Sequence, residues 1–346
     1  MRVAVIAGTR PEIIKLAPVI EQLRARPRIE TQVIFTGQHE MAEEMMKTFG
    51  ITPDERWGVY KMQGANLVGY IQEHERLIEW KPDWMIVQGD TASALGGAIL
   101  AHGNKIKVAH VEAGLRTYSA MPWPEENYRR MIDIMASLNL TPTKQATKNI
   151  KKENLNGVVV ETGNTVIDAL RWALGRKPKL SVSSDKPLVL VTTHRRENWA
   201  NITDIANSIA SASKDVGDSN WLYSAHPVVI NKVRWALADT NIFVTGNVDY
   251  VSWVHLMRRA DLIITDSGGI QEEAAYLGKK VYLLRGHTER PEVVGVNTEL
   301  IEHSKLWTRI YSKIYTEQDP APSHVYGDGW AAVKIVDALE EYGQST

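Results

Sequence analysis

Apolar residues fall along this chain in short unbroken runs, separated by longer stretches in which they recur every three or four positions. Val3–Ala7, Gln32–Thr36, Trp84–Gln88, Lys107–His110 and Gly157–Glu161 are runs of the first kind. Such runs suit strands buried on both faces, and amphipathic helix-length segments between them predict βαβ units in a parallel sheet. The rhythm breaks at a polar stretch, Lys177–Lys186, that carries Pro178 and a serine cluster, which makes it the candidate linker. It then restarts with Leu188–Thr192, Trp221–Ala225, Ile242–Thr245, Leu262–Thr265 and Val281–Leu284, with helices such as Asn201–Ala212 and Pro227–Leu237 between them. The pattern therefore predicts an α/β chain of two doubly wound domains, residues 1–176 and 177–329. A last helical segment, Trp330–Tyr342, follows an irregular stretch around Asp319–Ser323 and Gly327–Gly329. Periodicity does not say which domain it joins.

Composition narrows the partners more than the fold. At 346 residues the chain exceeds what a single core usually supports. Forty basic residues against 41 acidic ones give a net charge of -1, so no overall positive field exists to hold a nucleic acid or an anionic membrane. Any polyanion must be bound locally. The absence of cysteine excludes disulfides and thiolate metal sites and agrees with a reducing compartment. The chain opens directly on a strand-like run, and no apolar stretch approaches the length of about 18 residues that suggests a membrane span. The expected location is the cytoplasm.

In open α/β sheets ligands gather at the carboxyl ends of strands, so the residues just after each run carry the candidate chemistry. After the first run stands Gly8-Thr9-Arg10-Pro11-Glu12, where Thr9 can cap a helix and Pro11 suits its first turn. Arg10 is thereby aimed at a helix N-terminus, a favourable place for an anion; pairing with Glu12 is the alternative use of its charge. Gln88-Gly89-Asp90-Thr91 places a carboxylate at the next rim position, either as a reactive group or as a helix cap. His110-Val111-Glu112-Ala113-Gly114-Leu115-Arg116 brings a second acid, and Met121-Pro122-Trp123-Pro124-Glu125-Glu126 opens a helix with a third. Three acids at one rim would crowd like charges and raise at least one pKa, which suits general acid and base work.

In the second half, Thr192-Thr193-His194-Arg195-Arg196-Glu197-Asn198 combines an imidazole with two guanidinium groups, a density that a diphosphate would explain better than a solvated charge run. Asp266-Ser267-Gly268-Gly269-Ile270-Gln271-Glu272-Glu273 reads as strand end, turn and helix start, with backbone amides able to cradle phosphate. Glu273 lies one turn in, within reach of ribose hydroxyls. The dinucleotide fingerprint Gly-x-Gly-x-x-Gly is missing from both halves. Thr288-Glu289-Arg290-Pro291-Glu292 adds another Arg at the same edge.

Taken together, GTRPE at 8–12, QGDT at 88–91, HVEAGLRT at 110–117, PWPEE at 122–126, HRREN at 194–198, SGGIQEEA at 267–274 and TERPE at 288–292 resemble the non-hydrolysing UDP-N-acetylglucosamine 2-epimerases, in order, from residue 1 to about 342. The resemblance implies a GT-B fold, two Rossmann-like domains facing a central cleft, with the last helix, 330–346, packing back on the first. It implies a homodimer and no metal or nicotinamide cofactor. It also implies a reaction in which UDP is eliminated from UDP-N-acetylglucosamine to leave a 2-acetamidoglucal, then re-added to give UDP-N-acetylmannosamine. On that resemblance Asp90, Glu112 and Glu125 handle the protons, and His194 joins them as a catalytic residue. Arg10, Lys15, Arg129, Arg195, His226 and Arg290 surround phosphate or sugar. Ser267, Gly268 and Gly269 hold the diphosphate, Glu273 the ribose, and Trp253 stacks near uracil where the family usually has Phe. Gln38 and His39 mark a candidate second UDP-N-acetylglucosamine site, although Glu40-Met41-Ala42 departs from the family there. Tyr128 stands where the family places Asn, and Val293-Val294-Gly295-Val296-Asn297 also departs. Rival readings are a hydrolysing 2-epimerase, a GT-B glycosyltransferase, and a nucleotide-sugar sensor of the same fold.

Overall fold

The structure, a computed structural model, describes residues 1–343 apart from 39–40, 60–61, 63, 75–78 and 183–184, and leaves the side chains of Met41 and Arg196 undescribed. It divides into two compact units, Met1–Ala169 with Val325–Thr346, and Leu170–His324. Among the described residues of the first unit, β1 (Arg2–Ala7), β2 (Glu30–Phe35), β3 (Glu55–Arg56), β4 (Trp84–Gln88), β5 (Lys107–Val111), β6 (Leu138–Thr141) and β7 (Val158–Glu161) form one parallel sheet. Its order is β3-β2-β1-β4-β5-β6-β7. The second unit builds a parallel sheet from β8 (Leu188–Thr193), β9 (Asn220–Ala225), β10 (Phe243–Thr245), β11 (Leu262–Thr265), β12 (Val281–Leu283) and β13 (Thr298–Leu300), ordered β10-β9-β8-β11-β12-β13. These are two Rossmann-like sheets, the domain type of a GT-B chain.

The central strands are the apolar runs. Val3–Ala7, Trp84–Gln88 and Leu188–Val191 are buried throughout, as expected of strands covered by helices on both faces. The strands that the run pattern passes over are short or polar. β3 has two charged residues at a sheet edge, β13 is Thr-Glu-Leu at the other sheet's edge, and β6 is Leu-Asn-Leu-Thr. In β6 the Nδ2 of the buried Asn139 donates to the Asp133 carbonyl at 3.3 Å, so the strand is held by pairing with its neighbours in the sheet rather than by an apolar run.

The two units meet in sequence inside the helix Thr165–Leu174, and Lys177–Lys186 lies wholly in the second. The amides of Lys179 and Leu180 both donate to Ser252 Oγ, at 3.0 and 2.9 Å. The chain returns to the first unit at Val325, where the buried Tyr326 accepts a hydrogen bond from the Asn164 amide at 2.7 Å. The last helix, Ala331–Gly343, begins with its Ala331 and Ala332 amides on the Asp168 carboxylate and packs against the helix Arg10–Arg24. Arg26 reinforces this with an ion pair to Asp337 at 2.5 Å. No described helix is long and apolar enough to cross a membrane.

Candidate active site

Both sheets reverse direction of growth at their middle: the chain winds outward from β1 to β3, then crosses to β4, and from β8 to β10, then crosses to β11. At such a reversal the loops after the two central strands diverge and leave space for a ligand. In the first unit those loops are Gly8–Arg10 and Gly89–Thr91; in the second they are His194–Arg195 and Asp266–Ser267. Four of the sequence motifs therefore stand at the two switch points.

In the first unit the turn after β1 is set by close packing and a cap. A Cβ on Gly8 would lie 2.1 Å from Thr36 Oγ1 and 2.5 Å from Ser93 Oγ, two hydroxyls that bond each other at 2.9 Å. Ser93 also donates to Gln38 Oε1 at 2.7 Å, whereas His39 lies outside the described residues. Thr9 then closes a capping box with Glu12, and Arg10 begins the helix, half-buried. Glu12 is itself buried: it accepts from the amides of Gly8 and Thr9 at 2.9 and 2.7 Å and from Thr91 Oγ1 at 2.5 Å. One carboxyl group thus ties the loop after β1 to the loop after β4. Burial pushes its pKa up, against the pull of those hydrogen bonds.

Asp90 is not the helix cap. Thr91 takes that role, accepting from the Ala94 amide at 3.0 Å, and Asp90 is left half-buried with Arg129, whose Nε donates to it at 3.0 Å and whose Nη2 makes a second, shorter bond. Glu112 is buried and in contact with Lys15 Nζ, 2.6 Å from both carboxylate oxygens. Asn164 Nδ2 donates to it at 3.0 Å, and Gln88 Nε2 donates as well. Its backbone holds φ at +69°, a sparsely populated region that a non-glycine residue occupies only when its surroundings impose it. The crowding of acids that the sequence suggests is therefore relieved by one cation each, Arg129 on Asp90 and Lys15 on Glu112; the acid that burial raises is Glu12. Glu125 begins the helix Glu125–Met135, after two cis X-Pro bonds at Pro122 and Pro124, and its carboxylate makes no hydrogen bond or ion pair to another described residue. Its neighbour Glu126 is buried and spent on Arg129 Nη1 at 3.1 Å and on the Thr117 amide. Arg129 and Lys15 thus support acids directly.

Behind this rim runs a buried chain that the motifs did not single out. His110 Nε2 meets the Gly89 carbonyl at 2.8 Å and Nδ1 meets Asp133 at 2.6 Å; Asp133 pairs with Arg116, and Arg116 with Glu153. It braces the Gly89 turn beside Asp90. Asn164, the other missed group, gives no local signal because its partner Glu112 lies 52 positions away.

In the second unit, Asp266 is fully buried and accepts from the amides of His194 and Arg195, both at 3.0 Å, and from Asn198 Nδ2 at 3.0 Å. The loop after β8 is thereby fastened to the loop after β11. His194 lies with its ring 6.0 Å from that of His226, which in turn lies 5.1 Å from Trp199. The helix Gly268–Leu277 starts at Ser267, whose side chain makes no capping bond, with Gly269 half-buried beside it. Tyr250 hydroxyl donates to Glu273 at 2.8 Å, and Trp253 stands on the same helix as Tyr250, buried. Arg290 Nε donates to Glu272 at 2.5 Å. Among the described residues no group of three or more His, Cys, Asp or Glu is placed to hold a metal ion.

Residues 21–340 match the family described as UDP-N-acetylglucosamine 2-epimerase. The chain belongs to that family. The UDP-N-acetylglucosamine 2-epimerase of Escherichia coli K12 is 37% identical to it, over 98% of each chain. Among solved structures, the Neisseria meningitidis UDP-GlcNAc 2-epimerase bound to UDP-GlcNAc has a TM-score of 0.90 at 33% identity, covering 99% of this chain and 100% of that one. The Methanocaldococcus jannaschii UDP-GlcNAc 2-epimerase in complex with UDP-GlcNAc and UDP has a TM-score of 0.84 at 30% identity, covering 99% and 100%. This family member thus carries Asp90 at the switch point of its first sheet, with Glu112 and Glu125 following the next strand, and His194, Arg195 and the Ser267-Gly268-Gly269 turn at the switch point of its second sheet, with Arg290 following the strand beyond.

Proposed function

We propose that this epimerase interconverts UDP-N-acetylglucosamine and UDP-N-acetylmannosamine without net hydrolysis, by eliminating UDP to a 2-acetamidoglucal and adding it back. The observation that carries the reading is the arrangement of acids in the first unit: Glu112 on Lys15, Asp90 on Arg129, and Glu125 without a partner among the described residues. A C2 hydrogen is weakly acidic, so its removal must accompany loss of the anomeric oxygen, and inversion needs a proton taken from one face and returned on the other. Several carboxyl groups in different environments supply that; one would not. The second unit supplies the complementary need. His194, Arg195, Arg290 and the Ser267-Gly268-Gly269 amides stabilise the negative charge that grows on the departing diphosphate. Glu273, set by Tyr250, binds the ribose; Trp253 and His226 border the base and sugar, and Arg10 adds its charge at a helix N-terminus. The proposal uses no metal and no nicotinamide, and it includes a homodimer in the cytoplasm, which light scattering on the purified protein checks for its oligomeric part.

Incubation of the protein with UDP-GlcNAc in D2O, followed by NMR, tests the reaction. Deuterium at C2 with accumulation of UDP-ManNAc is the expected result. Free ManNAc with stoichiometric UDP would replace the proposal by a hydrolysing epimerase, and an unlabelled C2 in folded, UDP-binding protein would replace it by a transferase or sensor. Asp90→Asn, Glu112→Gln and Glu125→Gln should each keep UDP binding and lose turnover by about a hundredfold or more.

A further inference from the structure

The segment after β12 carries a guanidinium that the proposed mechanism does not use. Arg285 is 7% exposed; its Nη1 donates to Glu289 Oε2 at 3.2 Å, while its Nε has no hydrogen-bond partner among the described residues and stands 3.7 Å from Glu197 Oε1. Glu289 is equally buried, and its other oxygen accepts from Arg290 Nη1. Arg290 is held at its opposite edge by Glu272. The whole pair rests on the start of the Gly268 helix: a Cβ there would stand 2.5 Å from Arg290 Nη1 and 3.0 Å from Glu289 Oε1. One carboxylate therefore divides its two oxygens between two guanidinium groups, and the second of these lies against the Ser-Gly-Gly turn.

Division of a carboxylate between two cations has an electrostatic consequence. Arg290 already pairs with Glu272, and a Glu289 shared with Arg285 adds only part of a second ion pair, whereas a Glu289 left with Arg290 alone can close a bidentate pair and consume what remains of that cation's charge. We propose that Arg285 is a positioning residue for the reaction, competing for Glu289 so that Arg290 keeps its orientation and is not closed into a second full ion pair, leaving it able to meet the diphosphate of a UDP-sugar. This rests on the UDP-sugar reading above. The burial of Arg285 supports it: desolvation pushes the guanidinium pKa down, and Arg195 and Arg290 push it further in the same direction, against Glu289 and Glu197. A buried cation that shares one of its two nearby carboxylates with a second guanidinium is costly to keep for folding alone. An arriving dianion offsets that cost.

The test is affinity for UDP and for uridine, measured by ligand-observed NMR titration on wild type, Arg285→Met, Arg285→Lys, Arg290→Met, the double variant Arg285→Met/Arg290→Met, and Arg285→Met/Glu289→Gln. Arg285→Met should weaken UDP by about tenfold, the scale of one hydrogen bond to a charged group, and leave uridine unchanged. Arg285→Lys should lose less. Because the effect runs through Arg290, the double variant with Arg290→Met should bind UDP no worse than Arg290→Met alone. Glu289→Gln should restore part of the affinity lost by Arg285→Met, a rescue that a general loss of packing would not produce. Equal losses for UDP and uridine, full additivity with Arg290→Met, or unchanged UDP affinity in Arg285→Met would each overturn the inference while leaving the UDP-sugar reading in place. A wild-type protein that does not bind UDP would remove both. Circular dichroism identifies a variant that fails to fold, in which case Arg285→Lys carries the same comparison.

Discussion

Single residues in this protein are defined by what they touch, and two glutamates show it with opposite signs. Glu153 accepts two hydrogen bonds from Arg116, at 2.8 and 2.7 Å, and this holds its pKa below the ordinary 4.5 despite its partial burial. Its stabilisation is complete above the unfolded value and is lost as pH falls through the lowered folded value. Glu12 is the reverse case, since burial raises its pKa above 4.5; its contribution is present at acid pH and is lost as pH rises through the raised value. Thermal melts from pH 3 to 8 should therefore show Glu153→Gln flattening the acid limb of the stability curve and Glu12→Gln flattening the limb above it. Lys15 supplies a third case. Removing one partner of a buried pair leaves the other charge unpaired, so Lys15→Met should destabilise the fold by about 3 kcal/mol, and Lys15→Met/Glu112→Gln should recover part of that in urea melts. Of these relations the sequence shows only the residue types: Glu12 reads as part of a helix start, and nothing local marks it as the clamp to Thr91.

Elements, by contrast, are largely legible where their cause is local. The helix Arg10–Arg24 begins where Thr9, Pro11 and Glu12 predict, because a capping box is completed within one turn of chain. Thr9→Ala should cost about 1 kcal/mol of unfolding free energy, read from urea denaturation, with the slope unchanged. Thr91 and Asn139 show the boundary of this legibility. At Asp90-Thr91 both residues are good caps, and the structure uses the threonine because the aspartate is drawn to Arg129, 39 positions away. The strand β6 escapes the run pattern because it buries an asparagine whose Nδ2 finds Asp133 only in the folded chain, and β3 and β13 escape it because edge strands need little apolar surface.

At the level of the whole molecule, each unit repeats one plan, with strands growing outward from the centre and then crossing to the other side. The first unit also takes in the last helix, which covers the helix Arg10–Arg24. A chain ending at Gly329 should expose that apolar face, so limited proteolysis is expected to cut within residues 1–169 while fragments of 170–324 stay protected. Uniform resistance of the shortened chain would contradict this. Which unit receives the helix is absent from its periodicity, since an amphipathic face records that it must be covered and not by what. The amino-acid sequence by itself determined the central parallel strands, the doubly wound class, the helix start at Thr9 and the residue types available at the rims, all of which follow from interactions within a few positions. Only the tertiary structure decided that Lys15 meets Glu112 across 97 positions, that Asp266 fastens the amide of His194 across 72, and that Glu289 is shared by two guanidinium groups. The first two depend on which strands become neighbours after the crossovers, and the third on how the segment after β12 settles against the Gly268 helix; neither is carried by the spacing of apolar residues.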